Sequence, residues 1–244
     1  MQPNKVIIIL AAVLILLCIF TTFAVGLGVG FGLSDEIELA IFNQQEATTA
    51  EPSTYQPPKR PARQGQLLLE DDFSHEQWDV YNDSEHRQGY ADGQYFIFVK
   101  AQEYNYWSMA GETFQDFVIE VETTQLDGPD NNDYGIILRY QDDANFYSFE
   151  ISGDGYYTFN KLVDDELFDI IPWQENRAIK QGNSHNTLRV EAVGPNFTFY
   201  INNELVDVAI DSDFSQGDVG LLAGTYQEPG AHIAFDNLKV WAVE

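Results

Sequence analysis

The chain has 244 residues, 44% of them hydrophobic and 14% aromatic, and its 39 Asp and Glu against 12 Lys and Arg give a formal net charge of -27. Such acidity excludes an electrostatic grip on nucleic acid or on anionic lipid headgroups, because no basic stripe is present to displace counterions. The single cysteine, Cys18, excludes a disulfide framework and a cysteine-rich metal site.

Residues 6–31 carry no charge. The run exceeds the roughly 20 residues that cross a hydrocarbon core, so it predicts one N-terminal transmembrane helix within a membrane anchor spanning residues 1–33. Lys5 on one side, with Asp35, Glu36 and Glu38 on the other, predicts a cytoplasmic N-terminus and an extracellular or periplasmic C-terminal domain. A signal peptide cut near the glycine-rich VGLGVGFGLS is the competing reading. Gly26, Gly28, Gly30 and Gly32 have G-x-x-x-G spacings, which would let two such helices dimerise. Residues 34–65, with Pro52, Pro57, Pro58 and Pro61, read as a disordered tether.

From residue 66 to 244 the pattern is β throughout. Short runs rich in β-branched and aromatic residues are separated by turn chemistry such as Asp92-Gly93, Gly194-Pro195-Asn196 and Asn202-Asn203. No amphipathic helix interrupts them, which predicts a single all-β domain, a two-sheet antiparallel β-sandwich or jelly roll. Its centre is a meander of strands at 134–140, 146–151 and 156–162. Alternation places Tyr147, Phe149 and Ile151 on one face of the middle strand and Phe146, Ser148 and Glu150 on the other. This domain holds 34 of the acids and eight of the Lys and Arg.

The runs FQDFVIEVETTQL, NDYGIILRYQDDANFYSFEISGDGYYTF, FTFYINNELV, GDVGLLAGT and FDNLKVW together resemble the concanavalin A-like lectin/glucanase superfamily, over residues 67–243. Within it they look most similar to the 3-keto-disaccharide hydrolase and laminin-G-like domains of bacterial exported proteins. The resemblance implies a sugar site on a concave sheet, with function open among lectins, glycosidases and adhesive modules. The Glu-x-Asp-x-x-Glu strand of the glucanases is absent: Glu120-Val121-Glu122 comes nearest, and Gln125 stands where the third acid belongs.

Strand alternation also sets Glu120 and Glu122 opposite Phe117, Ile119 and Val121, and places Arg139 beside Ile137. If these faces coincide, Glu120, Glu122, Arg139, Glu150 and Lys161 form one charged cluster, the first four catalytic should the domain be an enzyme. The alternative is a cross-strand ladder of ion pairs on a solvated face. Tyr104, Tyr106, Trp107, Trp173 and Tyr226 are candidates for an aromatic platform that would hold sugar rings, with Arg139, Glu150 and Lys161 beside it. In related sandwiches a calcium ties the first strand to the last; EDDF and FDN resemble those places, which points to Asp72 and Asp236. His75, His86, His185 and His232 lack the paired spacing of a zinc site. Three functions follow from the residues and the resemblance together: a membrane-anchored extracellular carbohydrate-binding module, a hydrolase or lyase of 3-keto-disaccharides, and an adhesive module that recognises another protein.

Overall fold

The computed structural model describes Val6–Ile7 and residues 64–244. Apart from these two N-terminal residues and the last two of the tether, the predicted anchor, its glycine motif and the tether lie outside the described residues. Among the described residues, no helix is long and apolar enough to cross a membrane.

The strands are β1 (Val6–Ile7), β2 (Gln64–Asp71), β3 (Tyr81–Asn82), β4 (His86–Ala91), β5 (Gln94–Val99), β6 (Tyr104–Met109), β7 (Phe117–Asp127) and β8 (Asp133–Asp142). They continue as β9 (Asn145–Ile151), β10 (Tyr156–Val163), β11 (Glu166–Glu175), β12 (His185–Val193), β13 (Asn196–Ile201), β14 (Glu204–Ile210), β15 (Asp218–Gly224) and β16 (Ala231–Val243). A seven-stranded sheet has the order β1-β6-β15-β8-β9-β10-β11. A nine-stranded sheet has the order β14-β13-β12-β7-β16-β5-β4-β3, with β2 also paired to β16. The predicted all-β, two-sheet antiparallel sandwich is what the described residues form, and the central meander is β8-β9-β10.

The side chains that face the opposite sheet make one aromatic layer. Tyr147 and Phe159 of the seven-stranded sheet lie 5.0 and 4.9 Å, ring centre to ring centre, from Phe197 of the nine-stranded sheet. Phe149 and Phe159 lie 4.7 and 4.6 Å from Phe199. Offset and tilted contacts at these separations add to the hydrophobic gain of burying the rings. Since side chains alternate along a strand, fixing these inward fixes their neighbours outward.

Alternation fails at Arg139. The residue takes a left-handed backbone conformation (φ 51°) inside a bulge between Leu138 and Asp142, where the pairing of β8 with β9 shifts register. The extra residue turns the side chain inward, away from the face of Ile137. Arg139 is 0% exposed. Its Nη1 donates to the Phe214 carbonyl (2.9 Å), and its Nη2 donates to those of Gln115 (3.1 Å) and Gly194 (2.8 Å). The guanidinium lies 5.0 Å over the Phe197 ring. It thus ties three loops to the aromatic layer at one end of the sandwich. Arg139→Met should lower the unfolding free energy by about 3–5 kcal/mol, because the buried carbonyls lose their donors. A urea titration would show this as a lower midpoint at unchanged slope, whereas Glu120→Gln or Glu122→Gln should change stability by no more than about 0.5 kcal/mol.

Candidate functional site

The outward face of the seven-stranded sheet carries the chemistry, and the strand register lays it out as rows. In one row Asn105 of β6 pairs with Gly224 of β15, which pairs with Asp133 of β8. In the next, Trp107 pairs with Leu222, Leu222 with Gly135, Gly135 with Glu150 and Glu150 with Thr158. In the third, Met109 pairs with Gly220, Gly220 with Ile137, Ile137 with Ser148 and Ser148 with Asn160. Glycines within a strand leave bare backbone and so make a depression. At Gly224 the space is already used: a Cβ there would lie 2.0 Å from Asn105 Oδ1 and 2.3 Å from Asp133 Oδ2. Met109 Sδ likewise overlies Gly220, 2.5 Å from where a Cβ would stand, so neighbouring side chains fill the trough along these glycines; its polar side is Asn105, Asp133, Glu150 and Asn160, and its apolar side is Trp107, Leu222 and Ile137. Phe146 and Leu162 extend the apolar wall, the Trp107 and Phe146 rings being 5.5 Å apart.

Asp133 and Glu150 are diagonal neighbours across Gly135, and their carboxyls interact. Glu150 is 6% exposed and accepts a hydrogen bond from Ser148 Oγ at 2.5 Å. Thr158 Oγ1 donates to the Ile171 carbonyl at 2.8 Å and lies 2.9 Å from Asn160 Oδ1, leaving the Asn160 amide for Glu150. Burial pushes the Glu150 carboxyl up; Ser148, Asn160 and Asp133 hold it down through hydrogen bonds, and the charge of Asp169 raises it again. Burial first, then the charge of Glu150 and the hydrogen bond to it, push Asp133 well above the usual carboxylate range, against the pull of Asn105. Both carboxyls are thus pushed toward the protonated form, Asp133 the more strongly. Asp133 Oδ2 is sealed from solvent without a hydrogen-bond partner.

The predicted charged cluster does not assemble. Glu120 and Glu122 belong to β7 in the nine-stranded sheet, on its outward face. There Glu120 lies 3.9 Å from Arg189, Arg189 donates to Glu191 at 2.9 Å, and Glu122 accepts from Asn237 at 2.9 Å. This is the cross-strand ladder of the alternative reading. Arg139 is turned inward by its bulge. Lys161 shares the inward face of β10 with Tyr157 and Phe159 and is held by Asp211 (2.7 Å) and Asp213 (2.5 Å) at the sandwich edge. Glu150 alone of the cluster stands in the trough.

The aromatic platform is likewise divided. Trp107, 7% exposed, lines the trough, but Tyr106 lies on the other face of β6 and stacks on His86 at 3.8 Å in the core. Tyr104 stacks beside Tyr106, Trp173 is 43% exposed on the edge strand β11, and Tyr226 is exposed in a loop. Four strands separate the strands of Trp107 and Trp173. Asp72 Oδ1 accepts from the Ser74 backbone and Asp236 Oδ1 from that of Asn237, as in ordinary turns. Among the described residues no group of three or more His, Cys, Asp or Glu is arranged to hold a metal. Sequence reasoning missed Asn105, Asp133 and Asn160. The available signal was glycine inside strands, at 135, 220 and 224, beside polar residues on the same face.

Residues 65–240 match the family model of the 3-keto-alpha-glucoside-1,2-lyase-like domain. The chain belongs to this family. No curated protein matches the lyase-like chain. Among solved structures it is similar to the carbohydrate-binding module CBM66 from Bacillus subtilis, with a TM-score of 0.56 and 21% identity, over 68% of this chain and 95% of that one. A Bacillus subtilis protein of galectin-like fold has a TM-score of 0.56 and 10% identity, over 74% and 97% of the two chains. The GlcNAcα1-4Gal-releasing endo-β-galactosidase from Clostridium perfringens has a TM-score of 0.53 and 11% identity, over 75% of this chain and 65% of that one. At these identities the likeness shows the fold, a concanavalin A-like sandwich. With the family, it makes this a carbohydrate-related domain.

The raised Asp133 carboxyl has a measurable consequence. A carboxyl whose folded-state pKa is raised contributes stability that is full below the ordinary aspartate value of 3.8 and is lost as the pH rises through the raised value. Asp133→Asn cannot ionise, so melting curves should show the variant gaining on the wild type as buffers go from mildly acidic to mildly alkaline. An unchanged difference would mean that Asp133 is ionised throughout.

Proposed function

We propose that this lyase-like domain binds carbohydrate in the trough on the outward face of the seven-stranded sheet. The observation that carries the reading is the row of strand glycines set between Trp107 and the polar groups Asn105, Asp133, Glu150 and Asn160, of which Glu150 and Asn160 are buried. Sugar rings present C–H faces that pack on aromatic surfaces and hydroxyls that need fixed polar partners, and this face offers both. The family match and the likeness in fold to CBM66 support the same reading.

A second reading makes the domain a lyase or hydrolase of 3-keto-disaccharides, and the neighbouring carboxyls of Asp133 and Glu150, both shifted toward the protonated form, favour it. The Glu150 carboxylate would take the acidic proton next to the keto group. That C–H electron pair would form a C=C bond as the glycosidic C–O bond breaks, and the Asp133 carboxylic acid would protonate the leaving oxygen. Pairs of carboxyls whose environments separate their affinities for the proton are suited to such a division of roles.

One experiment addresses both. The full chain is melted against a panel of neutral oligosaccharides that includes a 3-keto-disaccharide, and each sample is then inspected for cleavage. A ligand at ~100 times its dissociation constant adds about 2.7 kcal/mol and raises the midpoint by several degrees. Trp107→Ala removes the aromatic wall and should abolish the shift; a shift that survives it would place the sugar elsewhere. Cleavage lost in both Asp133→Asn and Glu150→Gln would select the enzyme, and a shift without cleavage the binding module.

The apolar residues that follow β1, 8–31, as an anchor and 34–65 as a tether would hold this site at a membrane surface. In that case the full chain should sediment with membranes through alkaline carbonate extraction, and added protease should release the sandwich from intact cells. Recovery in the soluble fraction would contradict the anchor.

A further inference from the structure

The outward face of the nine-stranded sheet carries a second row of side chains, remote from the trough. Strand pairing sets Leu67 of β2 opposite Trp241 of β16, Trp241 opposite Val118 of β7, Val118 opposite Glu191 of β12, and Glu191 opposite Thr198 of β13. Phe117 and Ile119 belong to the core, so Val118 and its row look away from the other sheet. Even so, Val118, Glu191 and Thr198 are 0, 2 and 2% exposed, while Leu67 at the end of the row is 42% exposed. In the adjoining row Arg189 lies 5.7 Å over the Tyr200 ring and serves both Glu120 and Glu191, one guanidinium between two acids. Arg189, Glu191, Thr198 and Tyr200 are all engaged beyond these pairs. A carboxylate buried on an outward face needs both a cover and compensating charge.

The chain itself brings both to this place. It enters β2 at Gln64, opposite Val243, directly after Pro57-Pro58-Lys59-Arg60-Pro61-Ala62-Arg63. Lys59, Arg60 and Arg63 are three of the four basic residues that precede the sandwich, the fourth being Lys5. Three prolines in seven residues bias the segment toward an extended polyproline II course of about 3.1 Å per residue, a reach of about 22 Å. Crossing from β2 over β16, β7 and β12 to β13 takes four strand steps. At roughly 4.8 Å each these amount to about 19 Å, so the segment is long enough to follow the row from Leu67 to Thr198.

We propose that residues 57–63 dock across this row as an extended segment, with the basic side chains paired to Glu191 and Glu120 and the prolines against Trp241 and Tyr200. Proline-rich segments fit aromatic-lined grooves because their extended course is already set before binding, and guanidinium-to-carboxylate bonds are the strong, charge-assisted kind. The docked segment occupies the sheet opposite the trough, so the sandwich presents the trough on the side away from it. The last part of the tether then adds no reach. This inference is independent of the carbohydrate reading.

The test is a nitroxide label at position 62 of the full chain, introduced by Ala62→Cys with Cys18→Ser, and read by NMR of the isotope-labelled protein. The indole N–H signal of Trp241 and the amides of Glu191 and Thr198 should lose height while the nitroxide is active and regain it once the nitroxide is reduced. The amides of Asn105, Asp133 and Glu150 should keep their height throughout. Adding Lys59→Gln, Arg60→Gln and Arg63→Gln, which precede β2 and leave the folded sandwich untouched, should restore the lost signals. Losses confined to Gln64–Leu68, the neighbours of the label in sequence, would overturn the docking. Losses that persist in the triple variant would overturn the pairing of charges that holds it. The same losses in an isotope-labelled chain without nitroxide, mixed with a nitroxide-bearing unlabelled chain, would assign the segment to a second copy and overturn the contact within one chain.

Discussion

The aromatic layer between the sheets is the constraint on which the other features depend. Tyr147, Phe149 and Phe159 must face Phe197 and Phe199, because no other arrangement removes so much apolar surface from water at once. A shift of one residue in β9 would turn Phe149 outward and Glu150 into the core, a change that costs on both counts. The placement of Ser148 and Glu150 on the opposite face is thus a by-product of core packing. Asp133 and Ile137 follow in the same way from the inward positions of Tyr134, Ile136 and Leu138. The trough inherits its geometry from the layer beneath it.

Much of the fold was legible in the amino-acid sequence, since strand alternation and turn chemistry are local. The meander strands fall within a residue or two of their predicted ends, and the inward set of Tyr147, Phe149 and Ile151 is as expected. The site was less legible, for three physical reasons. Sheet membership is a property of topology: β7 and β8 are consecutive yet lie in different sheets, so Glu120 and Glu122 never meet Glu150. One left-handed residue in the bulge reverses the count, which sent Arg139 inward when parity placed it outward. Finally, a partner set such as Asn105, Asp133 and Asn160 comes from strands distant in sequence, and only register brings them together. Asp133 stood in an Asp-rich stretch that reads as a turn, with nothing local to distinguish it from Asp127 or Asp130.

The distribution of charge separates structure from function. On the nine-stranded sheet, acids meet bases in pairs such as Arg189 with Glu191 and Lys239 with Glu70, an ordinary solvated ladder worth little to stability. On the seven-stranded sheet, the buried Glu150 carboxyl lies beside that of Asp133, with amides and hydroxyls as their other partners among the described residues. Such an arrangement costs folding free energy, and apolar side chains in the same rows would be more stable. Groups retained against stability mark places where a ligand or a reaction needs them. The glycines have the same character, since strand interiors favour residues that pack.

The most direct test of a sugar site in this trough is the titration of an isotope-labelled sample with the tightest-binding oligosaccharide, followed by NMR. The account predicts that the indole N–H signal of Trp107 and the backbone amides around Asn105, Asp133, Glu150 and Gly224 shift together with one saturation curve. Signals from the ladder at Glu120, Glu122 and Arg189 should stay in place. Shifts confined to the nine-stranded sheet, or to the exposed edge around Trp173, would contradict it.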